Sequence, residues 1–135
     1  MSGRNTVWFA IIVFAPCFVV PQVRAQAPAA TAKPVLTQAL PDLPGREVSI
    51  LTVEYPPGGE SKSHSHAANT FVYVLEGQLV MAVNGGKEVT IGPGETFYES
   101  PTDVHSTSRN ASATAPARFL VFFVKKQDPP AGAKP

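Results

Sequence analysis

Cysteine and tryptophan are almost missing from this chain: Cys17 and Trp8 are single occurrences in 135 residues. Both lie in a stretch, residues 1–25, that reads as removable, so the mature chain is expected to hold no disulfide and no cysteine nucleophile. Its stability must then come from a packed core, for which one domain of this length is sufficient. An excess of one charge is also absent. Eleven basic and ten acidic residues leave a formal net charge of +1, which offers no basic surface to nucleic acid or to an anionic membrane. The one long apolar run, Val7–Val20, is broken by Pro16 and falls short of the ~20 residues a membrane span needs. Neither a phosphate-binding glycine loop nor a dinucleotide fingerprint occurs. Histidine is scarce as well: His64, His66 and His105 are the only three.

The two ends differ from the middle. Arg4 followed by Val7–Val20, and then Val23-Arg24-Ala25 with small residues flanking the cleavage point before Gln26, has the form of a secretory signal over residues 1–25. An uncleaved anchor is the alternative. Cleavage implies export to the periplasm or beyond, with no membrane contact afterwards. Residues 26–34 form a Pro/Ala-rich linker and residues 128–135 (DPPAGAKP) a similar tail. Both are expected to be disordered or to lie on a surface outside the core. The folded domain is then residues 35–127.

That domain reads as all-β. No segment keeps helical periodicity for three turns, and Pro and Gly recur every few residues. Candidate strands are Val35–Leu40, Glu47–Tyr55, Thr70–Leu75, Gln78–Val83, Glu88–Ile91, Thr96–Tyr98, His105–Arg109 and Arg118–Lys125. They are short, rich in β-branched and aromatic residues, and bounded by turn signals. Asn84-Gly85-Gly86 suits a hairpin turn that needs positive φ. So many evenly spaced strands point to a sandwich or closed barrel. Met81, Phe97 and Phe119 are expected in the core.

Against this background the histidines are ordered. His64 and His66 stand at i and i+2, on one face of an extended strand, and His105 follows a second glycine-led segment that starts at Gly94. Imidazole is a common ligand for first-row transition metals. A pair on one strand with a third from a neighbour makes a facial set; polar residues on an exposed strand and loop are the plainer alternative. If His64 and His66 face inward and the strand runs on unbroken, Thr70, Val72 and Val74 face inward too. Phe71, Tyr73 and Leu75 then load the outer face, which calls for a covering sheet, the N-terminal arm or a second subunit. A parity reset at Ala67-Ala68-Asn69 would instead bury the aromatics.

These residues resemble the cupin superfamily of small β-barrels. Gly58, His64, His66 and Gly77 stand at the spacing of its first motif, and Phe71-Val72-Tyr73-Val74-Leu75-Glu76-Gly77 is similar to its strand and turn. Gly94 and His105 match the spacing of the second motif. Its proline falls on Ser100 with Pro101 one residue late, its second glycine on Thr102, and its closing asparagine on Arg109 with Asn110 one residue late. The resemblance covers Leu36 to Lys125 and implies a single double-stranded β-helix, a jelly-roll-like barrel. It implies a metal held by His64, His66 and His105, a divalent ion such as Fe, Zn, Ni or Mn. The glutamate that many members add to the shell is replaced by Thr70, which argues against manganese-dependent oxalate chemistry.

Other residues near this set carry weaker expectations. Glu99 could reach the barrel mouth in place of the missing glutamate, although surface exposure or a bond to loop backbone is the stronger expectation. Asp103 could hold an imidazole N–H, or cap its turn. Tyr98 and Arg109 could hold a substrate, or serve as a wall aromatic and a solvated strand charge. The functions implied are a metal-dependent enzyme, dioxygenase-like or an isomerase or hydrolase, on a small oxygenated molecule. A barrel that binds metal or a small ligand without turnover is the alternative, and a metal-free structural barrel is a third. A homodimer is expected from the outward aromatics.

Overall fold

The structure is a computed structural model and describes residues 27–128; the signal-like segment and the end of the tail lie outside the described residues. Nine strands occur among the described residues: β1 (Thr31–Ala39), β2 (Arg46–Tyr55), β3 (His64–Ser65), β4 (Ala68–Glu76), β5 (Leu79–Val83), β6 (Val89–Ile91), β7 (Thr96–Glu99), β8 (Val104–Asn110) and β9 (Ala117–Lys126). There is no helix among the described residues. The strands form two antiparallel sheets, ordered β1-β2-β9-β4-β7 and β3-β8-β5-β6, consistent with a jelly-roll barrel. Strand β1 begins at Thr31 rather than Val35. The last part of the segment read as a linker is therefore paired with β2, from Thr31↔Glu54 onward.

Alternation explains how the sheets close on one another. In β4, Ala68, Thr70, Val72 and Val74 are buried while Phe71, Tyr73 and Leu75 are exposed. The even-inward branch is the one the chain adopts. Val53 and Tyr55 of β2, Leu79 and Met81 of β5, and Ala117, Phe119 and Val121 of β9 meet them in one core. Removing side chains of this size from water stabilises the fold by about 1.5–3 kcal/mol each. Phe97 packs at the edge of that core.

Turn chemistry sets the registers. Asn84 and Gly85 both have positive φ, at 54° and 67°, and Gly86 N–H donates to Val83 O at 2.8 Å. This closes the β5–β6 turn as the Asn-Gly pair requires. Gly77 (φ 74°) is needed for a second reason. A Cβ there would stand 2.7 Å from Pro116 O and 2.9 Å from Ala117, so only glycine lets β4 turn into β5 beside the start of β9. Asn110, buried at the end of β8, donates to Pro56 O at 3.0 Å and Ala115 O at 2.8 Å, tying the β2–β3 and β8–β9 loops together at one end of the barrel.

Candidate metal centre

The three histidines converge. Strand β3 lies antiparallel to β8 with His64 directly opposite His105, and His66 follows on from β3 before β4 begins. The ligand atoms of the three rings all lie within 4.8 Å of one another. His64 Nε2 and His66 Nε2 are 3.0 Å apart. His66 also rests on Phe123 of β9, ring centroids 4.8 Å apart, which anchors it against the other sheet.

Outer partners turn the lone pairs inward. His64 Nδ1 is 2.7 Å from Lys62 O, so Nδ1–H donates to that carbonyl and Nε2 is left as an acceptor. His105 Nδ1 stands 3.2 Å from Glu99 Oε1, which assigns the same tautomer. Carboxylate or carbonyl partners of this kind are how proteins orient metal-binding imidazoles. The inner nitrogen of His105, Nε2, is buried and has no hydrogen-bond partner among the described residues. An unsatisfied buried polar atom costs about 1–3 kcal/mol, and a cation at the focus of the three rings would remove that cost. The donor set therefore fits a divalent transition metal, and three nitrogens leave open coordination positions. Nitrogen ligands alone do not choose among iron, zinc, nickel and manganese.

Burial sets the electrostatics. It pushes the His105 pKa down to about 4, with further lowering from His64 and His66, and it lowers His66 too, helped by the His64 charge. Burial likewise pushes Glu99 up to about 7; the His64 charge opposes this and the Asp103 charge adds to it. Near neutrality His105 is therefore uncharged, a state that can ligate. Its contact with Glu99 is a hydrogen bond from a neutral ring rather than a full ion pair.

The other sequence-derived candidates divide. Thr70, 1% exposed, and Glu99, 2% exposed, face each other across the β4–β7 pairing and both line the cavity beside the histidines. Glu99 is thus buried and bonded to a histidine rather than lying on the surface. Asp103 is not an imidazole partner. It accepts from Ser100 N–H at 2.7 Å and from Asn84 Nδ2 at 2.8 Å, and these bonds hold its pKa low; it caps its turn. Tyr98 stands on the outer face, against Phe71 and bonded to Asn69, because it has the opposite parity to Glu99. Arg109 reaches outward to Glu88 at 2.6 Å. Neither of these two lines the cavity with the histidines.

That cavity, about 210 Å³, lies between the sheets. Its walls are mostly apolar, with Leu51, Val53, Val72, Val121 and Phe123 among them. It also holds three hydroxyls that the sequence did not single out. Tyr55 OH is 2.5 Å from Ser61 Oγ and 2.7 Å from Ser108 Oγ. Tyr55 shares the inward parity of Val53, so its burial was legible. Its meeting with Ser61 and Ser108 depends on the approach of β8 and left no local signal.

The family model described as a cupin domain matches residues 51–123, more than half of the chain. The rhicadhesin receptor of Pisum sativum is 37% identical over 78 residues, which are 54% of this chain and 36% of that protein. The chain thus spans little more than a third of that relative's length. Among solved structures, a cupin domain from Bordetella pertussis is similar in fold, with TM-score 0.59 and 20% identity over 75% of this chain and 98% of that one. An oxalate oxidase structure is 26% identical with TM-score 0.51, over 58% of this chain and 42% of that one.

Proposed function

The chain belongs to the cupin domain family, and from that premise we propose that it is an exported enzyme that uses one divalent transition metal on a small oxygenated molecule. His64, His66 and His105 hold the ion. The observation that carries this reading is the buried Nε2 of His105, without a partner among the described residues, where the ligand atoms of three rings lie within 4.8 Å of one another. When bound, the metal supplies Lewis acidity toward a substrate oxygen, or redox chemistry if it is iron. The chain's own groups do the rest. Lys62 O and Glu99 orient the two opposed imidazoles, and the apolar walls exclude water. Glu99, with its pKa near neutrality, can hold or release a proton at the cavity edge. Export is supported by the signal-like pattern of residues 1–25, and a homodimer by the apolar outer face of the larger sheet.

Oxalate, named in one relative, is not carried over, because Thr70 stands where oxalate-active cupins use a glutamate. A second reading, a barrel that binds metal or ligand without turnover, is favoured by one observation. Among the described residues Glu99 is the only carboxylate lining the cavity, and it is already engaged with His105. Purified protein without a His tag is expected to carry close to one transition-metal ion per chain by elemental analysis, and His105→Ala to lose it. Metal-dependent turnover or oxygen uptake on diketones, thiols or phenolics selects the enzyme; stoichiometric metal with no turnover selects the binding barrel. Protein that takes up no metal under several loading conditions ends both.

A further inference from the structure

The hydroxyls at one side of the cavity bear on the class of molecule it takes. Ser61, Tyr55 and Ser108 form a chain of hydrogen bonds: Ser61 Oγ to Tyr55 OH at 2.5 Å, Tyr55 OH to Ser108 Oγ at 2.7 Å. Three hydroxyls bring three protons, and the two oxygen–oxygen contacts consume two of them. Either oxygen can donate at each contact, so the third proton falls at one end of the chain; when the chain runs from Ser61 to Ser108 it is the Ser108 proton, whose acceptor is Met81 Sδ at 3.7 Å. A thioether is a weak acceptor, so in that direction a buried donor (Ser108 is 5% exposed) is left poorly satisfied at the wall of a cavity. A ligand oxygen would serve it better than sulfur does.

The rest of the lining restricts that ligand. There is no lysine or arginine among the described residues that line the cavity, and Glu99 is a carboxyl group, so in the metal-free protein a negatively charged ligand finds no counter-charge there. The walls are apolar, and polar groups placed against them lose water without compensation. The volume, about 210 Å³, exceeds the ~150 Å³ of a cavity that admits benzene and is below the ~300 Å³ at which drug-sized sites begin.

Building on the metal-centre reading, we propose that the cavity takes an uncharged, mainly apolar molecule about one ring in size, with an oxygen that accepts the Ser108 hydroxyl proton, and that it discriminates against small dicarboxylates. Ser108 is the specificity residue, and Tyr55 holds its oxygen in place at 2.7 Å. The oxygen-containing end is recognised by the hydroxyl chain and the body by the apolar walls.

Two matched pairs of small molecules test this by NMR titration of the intact protein. On chelator-stripped protein, anisole is expected to bind about fivefold more tightly than toluene, the worth of one net hydrogen bond. That preference should vanish in Ser108→Ala and in the near-isosteric Ser108→Cys, and survive in Ser61→Ala, which leaves Ser108 in place. On the same stripped protein, 2,4-pentanedione should bind at least tenfold more tightly than malonate, which has the same length and oxygen spacing but two charges. Anisole binding no better than toluene, a preference that persists without the Ser108 hydroxyl, or malonate the tighter of its pair would each overturn the assignment. A preparation that takes up no metal defeats the metal-centre reading alone, because the anisole comparison is made on metal-free protein.

Discussion

Glu99 Oε1 stands 3.2 Å from His105 Nδ1 with both side chains buried, so this carboxylate would act on a metal held by the three histidines through one of its ligands. Glu99→Gln keeps the shape and loses the charge. We expect zinc affinity, measured by competition with a chromophoric chelator, to fall about 10–100-fold; unchanged affinity would show that Glu99 does not position His105. The same pair shapes acid behaviour in metal-free protein. The folded-state pKa of His105 is depressed to about 4 from 6.5, and His66 is also lowered. Between those values the unfolded chain binds more protons than the folded one, so their contribution is whole above pH 6.5 and is lost as pH falls. Glu99 runs the other way. Its pKa is raised from 4.5 to about 7, so its contribution is whole below 4.5 and is lost as pH rises through about 7. Removing the carboxylate deletes that opposing slope. The urea midpoint of Glu99→Gln should therefore climb more steeply than wild type between pH 4.5 and 6.5.

Strand ends, rather than strand interiors, place the site. Two-residue β3 carries His64 and is held by its pairing with β8; it is too short to show an alternating pattern, so the sequence showed the His64/His66 pair without its strand. The longer strands were legible because alternation of apolar residues is a local, period-two signal. It also held the clue to Glu99, which shares the face of Phe97 two residues earlier, although the adjoining Ser100-Pro101 turn made exposure the natural expectation. At the turn after β4, Gly77→Ala would force a left-handed alanine whose Cβ meets the Pro116 carbonyl at 2.7 Å. Backbone on that side cannot yield cheaply. A loss of about 1–3 kcal/mol is expected from denaturant unfolding, and a stability equal to wild type would mean that the β4–β5 turn relaxes without this constraint.

At the scale of the whole molecule, the larger sheet has two apolar faces. One faces the cavity. The other presents Phe71, Tyr73, Leu75 and Tyr98, each 40–49% exposed, beside Leu120 and Phe122, and such a patch marks an interaction surface. The homodimer we propose is checked by light scattering. Wild type should run as a dimer at micromolar concentration, and Phe71→Lys combined with Tyr98→Ser should run as a monomer that still binds metal. A monomeric wild type would withdraw the dimer.

Alternation, turn residues and the His64/His66 pair are each written within a few neighbouring residues, and with the resemblance that adds His105 they were enough to read an all-β barrel with a nitrogen donor set. Which groups surround that set was decided only when distant strands paired. The approach of β7 puts Glu99 beside His105 and opposite Thr70, and the approach of β8 brings Ser108 to Tyr55. The same pairings turned Tyr98, Asp103 and Arg109 away from the cavity. Register between strands is a non-local property, and a shift of one residue exchanges the inner and outer faces.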